Sequence, residues 1–179
     1  MIEKVIQLDT SKLRVDIVRA GCIPYVIIDG VIKYCLGLDS KENEFTDFGG
    51  GFSTRFDIIP QIAAIRELRE ESLDIFCYNL SDLAEFYCIH NDMSLIIFVE
   101  IPRQSFEETS LCNEFTMRKL QCQIRHKKVE LSSIHFMTKE EISNIKIFDK
   151  IDFAISRLEE IEISLLRRSL DCFIQSMSR

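Results

Sequence analysis

Two apolar runs, Ile23 to Ile28 and Val31 to Leu36, surround the dipeptide Asp29-Gly30, the pattern of a β-hairpin closed by a tight turn. A second pair, Phe86 to His90 and Ser94 to Ile101, surrounds Asn91-Asp92 and predicts another hairpin. Between the two pairs the period changes. The stretch Asp47-Phe48-Gly49-Gly50-Gly51-Phe52 holds too much glycine for a regular element and reads as a loop. From Pro60 to about Leu73 the residues are good helix formers, and the proline suits a first turn. Lys128 to Met137 reads as a strand. Thr138-Lys139-Glu140-Glu141 reads as a helix start, with Thr138 as N-cap and Glu141 at the third helical position. Beyond Asp149, Ile151, Ile155, Leu158, Ile161, Leu165 and Phe173 recur at helical spacing and predict a C-terminal helix over about 149–175.

Strands interleaved with helices predict the α/β (α+β) class, a mixed sheet covered by helices. No internal repeat and no Pro/Gly/Ser-rich linker interrupts the chain, so a single domain over residues 1–179 is expected, with the C-terminal helix packed on it. The content of apolar residues, 46%, is enough for a core, and thirteen Phe argue against disorder.

Charge and cysteines narrow the function classes. The net charge of −7 makes sequence-independent binding of long nucleic acid an unexpected main task, although a local basic groove stays compatible with it. No run approaches the ~18 apolar residues of a membrane span. The N-terminal segment carries charges throughout, unlike a signal peptide. The seven cysteines are scattered, odd in number and without a C-x-x-C pair, the usage expected of reduced thiols in a cytosolic or nuclear protein.

The informative segment runs from Gly49 to Phe76. On a helix at about 100° per residue, Glu67, Glu70, Glu71 and Asp74 fall within one arc, and Ile62, Ile65 and Leu68 fall opposite. Arg66 stands one turn before Glu70 and can brace it. Like charges at these spacings repel by a few tenths of a kcal/mol per pair. A hard divalent cation relieves that repulsion, since Mg²⁺ takes carboxylate oxygens and completes its shell from waters and substrate phosphates. Glycines close by let backbone approach the same ion or phosphate.

This segment resembles the Nudix box, G-x5-E-x7-R-E-U-x-E-E-x-G-U with U a bulky aliphatic. Arg66-Glu67-Leu68-Arg69-Glu70-Glu71 matches the R-E-U-x-E-E core at every specified position. With charged types at ~6% each and U at ~30%, chance gives such a match on the order of once per thousand chains of this length. One extra residue before the core puts the box glycine at Gly51 and its first acid at Asp57, an Asp in place of Glu. The late glycine is Leu73 and the final aliphatic is Asp74.

The resemblance implies a Nudix-like α/β/α sandwich and a Mg²⁺-dependent pyrophosphohydrolase, with Mn²⁺ as a substitute ion. It assigns metal binding to Glu67, Glu70 and Glu71, with a backbone carbonyl near Gly51. Of these, Glu70 and Glu71 are the firmest ligands, Glu67 supplies a further ligand or takes the proton from the attacking water, and Arg66 with Asp57 orients the glutamates. A distant acid often completes such sites. Glu114 and Glu130 are the candidates, with Glu107 and Glu108 behind them. The implied substrate is a nucleoside diphosphate derivative: a nucleotide, a dinucleotide, a nucleotide sugar or, less favoured, a capped RNA end. The alternative is a Nudix-fold module without activity that binds a nucleotide or a protein.

Other features read more plainly. His90, His126 and His135 lack metal-ligand spacing, and Cys122 with His126 forms no zinc pattern. The run Arg125-His126-Lys127-Lys128 reads first as a solvated loop end and second as a contact for substrate phosphate or RNA. Tyr25, Phe45, Phe48 and Phe52 read as core before base-stacking platforms. The C-terminal helix reads as a cover for the sheet, with homodimerisation the less favoured use.

Overall fold

The computed structural model describes residues 2–5 and 16–177, the side chains of 171–177 excepted. Cys172 and Phe173 therefore lie outside the described side chains. Among the described residues eight strands form one sheet: β1 (Ile2–Lys4), β2 (Arg19–Ile28), β3 (Val31–Asp39), β4 (Phe45–Thr46), β5 (Phe48–Gly51), β6 (Tyr87–His90), β7 (Ser94–Glu100) and β8 (Leu131–Met137). The helices are α1 (Pro60–Glu71), α2 (Leu80–Leu83), α3 (Glu108–Ile124), α4 (Lys139–Ile142), α5 (Asp152–Ile155) and α6 (Leu158–Met177).

Strand β2 organises the sheet. Its last four residues pair antiparallel with β3, its first four pair antiparallel with β5, and Arg19 to Tyr25 pair in parallel with β7. The sheet is therefore mixed, as expected. Both sequence-predicted hairpins form. The first turns at Asp29 and Gly30, each with positive φ, the backbone of a tight hairpin turn. In the second, the Asn91 side chain accepts hydrogen bonds from the Met93 and Ser94 amides. Thr138 and Glu141 cap α4 reciprocally.

Alternation along the central strands sends side chains to two cores. Ala20, Cys22 and Val26 of β2 and Leu95, Ile97 and Val99 of β7 meet Ala63, Ala64 and Leu68 of α1. Ile23, Tyr25, Ile96 and Phe98 face the other way and meet Leu158, Ile161 and Leu165 of α6. Each fully buried Leu, Ile or Phe contributes roughly 1.5–3 kcal/mol, so both helical layers are held on apolar contact. Among the described residues, no helix is long and apolar enough to cross a membrane.

Four expectations need correction. The glycine run is a strand, β5. It can be one because Gly21 lies opposite: a Cβ on Gly21 would sit 2.6 Å from the Gly49 Cα. The buried face of α1 is Ala63, Ala64 and Leu68, whereas Ile62 and Ile65 are half-buried. Alanines let the helix backbone approach β2 closely, and the Cys22 thiol reaches the Ala64 carbonyl at 3.6 Å. The strand expected from Lys128 to Met137 begins at Leu131. The long C-terminal run is broken at Ser156–Arg157, so α6 starts only at Leu158.

Candidate active site

Helix α1 presents the acidic residues, and its two ends explain how. It starts at Pro60 without a side-chain cap, since proline at the first position needs no amide partner. Ahead of it, residues 53–57 fold into a turn closed by the Asp57 amide on the Ser53 carbonyl (2.7 Å). The helix ends at Glu71. The Leu73 amide then donates to the Glu70 carbonyl (3.2 Å) and the Asp74 amide to the Arg69 carbonyl (2.8 Å). This is a Schellman closure, whose turning residue is usually glycine. Here Leu73 (φ 57°) and Asp74 (φ 64°) both adopt the left-handed backbone. Asp74 has therefore left the helical arc, and it pairs with Arg69 instead of joining the glutamates.

The arginine of the core match is the hub. Arg66 holds Asp57 through two hydrogen bonds (3.0 and 3.1 Å), Glu67 at 2.7 Å and the Gly51 carbonyl at 3.1 Å, and it approaches Glu70 at 3.5 Å. Asp57 is buried, and the Arg66 hydrogen bonds hold its pKa below the ordinary carboxylate value. The pKa of Glu67 is raised, by burial first, with Glu70 and Asp57 adding to the effect against the pull of Arg66.

Strand β5 supplies the bare backbone opposite. A Cβ on Gly50 would lie 2.5 Å from the Glu67 carboxylate, and the Gly49 amide donates to Glu71 at 2.8 Å. At position 50 only glycine admits the Glu67 carboxylate so close to the strand. Glu71 is the deepest of the set. Burial, then the Asp47 and Glu67 charges, push its pKa up to about 9. The glycines, Glu67, Glu70 and Glu71 line one cavity of about 360 Å³, together with Leu73, Lys128 and Glu130.

The remaining candidates separate. Glu130 lines this cavity and is bound to Lys128. Glu114 lies on α3, outside the cavity lining, and is paired with Arg118. Glu107 caps α3, and Glu108 is paired with Lys33 at 2.8 Å. His90 and His135 bond Glu3 and Ser133, and none of the three histidines lines the cavity. Among the described residues, no three His, Cys, Asp or Glu side chains already converge as metal ligands. Glu67 is turned onto Arg66, Glu71 onto the Gly49 amide and Glu130 onto Lys128.

Sequence reading missed an inner pair. Arg19 and Asp47 are buried and bonded to each other, and Arg19 also donates to the Gly49 carbonyl at 3.1 Å. Burial opposes the Arg19 charge, but Asp47, Glu71 and Glu67 outweigh it and raise its pKa. Also unforeseen is an adjoining cavity of about 880 Å³, which shares Gly49, Glu71 and Glu130 with the site and is lined further by Phe148 and Phe153. Of the aromatics expected as core, Tyr25 and Phe48 are fully buried, while Phe45 stacks edge-on against His135.

No family model matches the chain. No curated protein matches it either. Solved structures do. A C. elegans Ap4A hydrolase binary complex superposes with a TM-score of 0.50 at 15% identity, over 83% of this chain and 99% of that one. The NUDIX domain of Shewanella oneidensis NrtR, complexed with ADP ribose, gives 0.51 at 11% identity over 86% and 93%. RenU, a Nudix hydrolase of M. Smegmatis, gives 0.50 at 11% identity over 83% and 87%. This α/β/α arrangement, with its glutamate helix against a glycine strand, has the Nudix fold.

Proposed function

We propose that this protein hydrolyses a diphosphate linkage in a nucleoside diphosphate derivative, with Mg²⁺ or Mn²⁺ held by Glu67, Glu70, Glu71 and the Gly51 carbonyl. The observation that supports this best is the placing of three glutamates, one of them deep, in a cavity walled by glycine backbone. The donor set fits a hard cation. Glu71 lies among other carboxylates in a setting that disfavours its charge, and oxygen-only ligands are what Mg²⁺ prefers. A bound ion would neutralise diphosphate oxygens and acidify a water.

The chain's own groups do the rest. Arg66 fixes the side chains of Glu67 and Asp57 and ties them to Gly51, so the acids and the strand stay in register. The Gly51 carbonyl keeps a second lone pair beside its bond to Arg66. Glu67, turned onto Arg66 beside the Gly50 backbone, is the group suited to take a proton from the attacking water. Glu130 is the distant acid placed to assist it. The neighbouring cavity, with Phe148 and Phe153, offers room for a nucleoside beside the diphosphate.

The test is phosphate or nucleotide release from a panel of nucleoside diphosphate derivatives in Mg²⁺. Glu70→Gln and Glu71→Gln should each lower kcat by roughly 100-fold or more. A parent protein inactive on every member overturns the reading. The second reading, a nucleotide-binding module without turnover, is favoured by the existing bonds of Glu67, Glu71 and Glu130. It predicts calorimetric binding of the same panel with no product.

A further inference from the structure

A second depression opens from the same glutamate helix. It has a volume of about 1300 Å³ and shares Glu70, Leu73 and Lys128 with the acidic cavity. The ends of α1 and α3 and residues 77–80 form its walls. Its lining holds more cations than acids. Arg66, Arg69, Arg118, Arg125, Lys127 and Lys128 line it against only Glu70 and Asp74, in a chain of net charge −7. Between the cations the wall is apolar, from Ile62, Ile65, Leu73 and Leu80, with Tyr78 beside them.

Four of the cations are engaged. Arg66 holds Asp57 and Glu67, Arg69 holds Asp74, Lys128 holds Glu130, and Arg118 holds Glu114 and the Leu73 carbonyl. Arg125 and Lys127 are exposed and have no ion pair among the described residues. These two unpaired cations lie two residues apart and repel one another, and a polyanion in the groove offsets that cost.

We infer that this groove binds the backbone of single-stranded nucleic acid, with phosphates on the cationic rim and sugars and bases on the aliphatic floor and Tyr78. Cationic grooves with an apolar or aromatic platform bind single strands in this way. An inorganic polyphosphate has nothing apolar for the floor to contact. A duplex keeps its bases stacked inward. The inference goes beyond hydrolysis, because a strand without any diphosphate should bind.

The experiment is fluorescence anisotropy with a labelled, unstructured oligoribonucleotide bearing a 5′-hydroxyl, in EDTA at low salt. Binding should weaken steeply as salt is added. The double variant Arg125→Gln/Lys127→Gln should bind roughly tenfold more weakly. Its log–log salt slope should be flatter by about 1.4, near 0.7 for each lost phosphate contact. Both residues are exposed, so the melting temperature should not move. Three results each overturn the inference: no binding at low salt, an unchanged affinity and slope in the double variant, or equal competition by duplex, polyphosphate or polyglutamate. Strand binding together with inactivity on every diphosphate would keep this inference and remove the hydrolase reading. Turnover without strand binding would do the reverse.

Discussion

Two arginine–aspartate pairs clamp the same glycine strand, and they differ in surroundings. Arg19–Asp47 is the inner pair, with side-chain exposures of 8% and 0%, and its arginine holds the Gly49 carbonyl. Arg66–Asp57 is the outer pair, with exposures of 31% and 1%, and its arginine holds the Gly51 carbonyl. The inner arginine touches no glutamate through a hydrogen bond, whereas the outer one also holds Glu67 and reaches Glu70. The inner pair therefore settles where the strand lies. The outer pair couples that strand to the acids. Location and coupling are separate tasks, and they should fail separately.

The inner pair should show the largest stability effect. Arg19→Met leaves the Asp47 charge buried with no cation and only the Thr46 hydroxyl as a partner, and should cost about 3–5 kcal/mol in urea unfolding. Adding Asp47→Leu should recover much of that, because an apolar pair carries no stranded charge. A loss under about 1 kcal/mol for the single variant would break the comparison. Arg66→Met should cost less, about 1–3 kcal/mol, because Asp57 keeps the Ser53 amide as a partner and water is close. Its mark should be functional: turnover falling at least tenfold in a protein that still folds, read from kcat beside a thermal melt.

The smallest effect concerns Glu71, whose carboxyl accepts from the Gly49 amide and feels the charge of Arg19. Its folded pKa of about 9 lies above its ordinary 4.5. Between those values the unfolded chain releases a proton that the folded state keeps, so the folded state loses relative stability as pH rises. The melting temperature of the parent, measured against Glu71→Gln, should therefore decline from about pH 5 to 9, and Mg²⁺ should reduce the decline. A difference that stays flat with pH would show that Glu71 is not confined as described.

The outer pair was legible in the sequence and the inner one was not. Asp57 and Arg66 lie nine residues apart along one turn and one helix, and the resemblance to the Nudix box singles out both. Arg19 and Asp47 lie 28 apart, brought together only by the pairing of β2 with β5. The layers themselves were legible because period 2 and period 3.6 are written along the strands and helices. The nature of β5 was not: glycine is a poor strand former on its own, and what makes it a strand is Gly21 across the ladder. The buried side of α1 was misread for a related reason, since Ala63 and Ala64 outrank bulkier isoleucines where backbones must come close. The basic run after α3 gave no hint of the facing cations on α1, because its groove joins residues some sixty positions apart.

The bend at residue 73 has the handedness that glycine normally supplies, yet a leucine occupies it. Two amide bonds back into α1 hold the bend, and the Arg118 guanidinium fastens its carbonyl from α3 at 2.6 Å. Support from outside replaces conformational freedom at the residue itself, at a strain of about 1–2 kcal/mol. Glu70 and Glu71, one turn earlier, are thereby insulated from the identity of the side chain at the corner. Letters and shape part company here: the corner keeps its handedness without the residue that adopts it most easily.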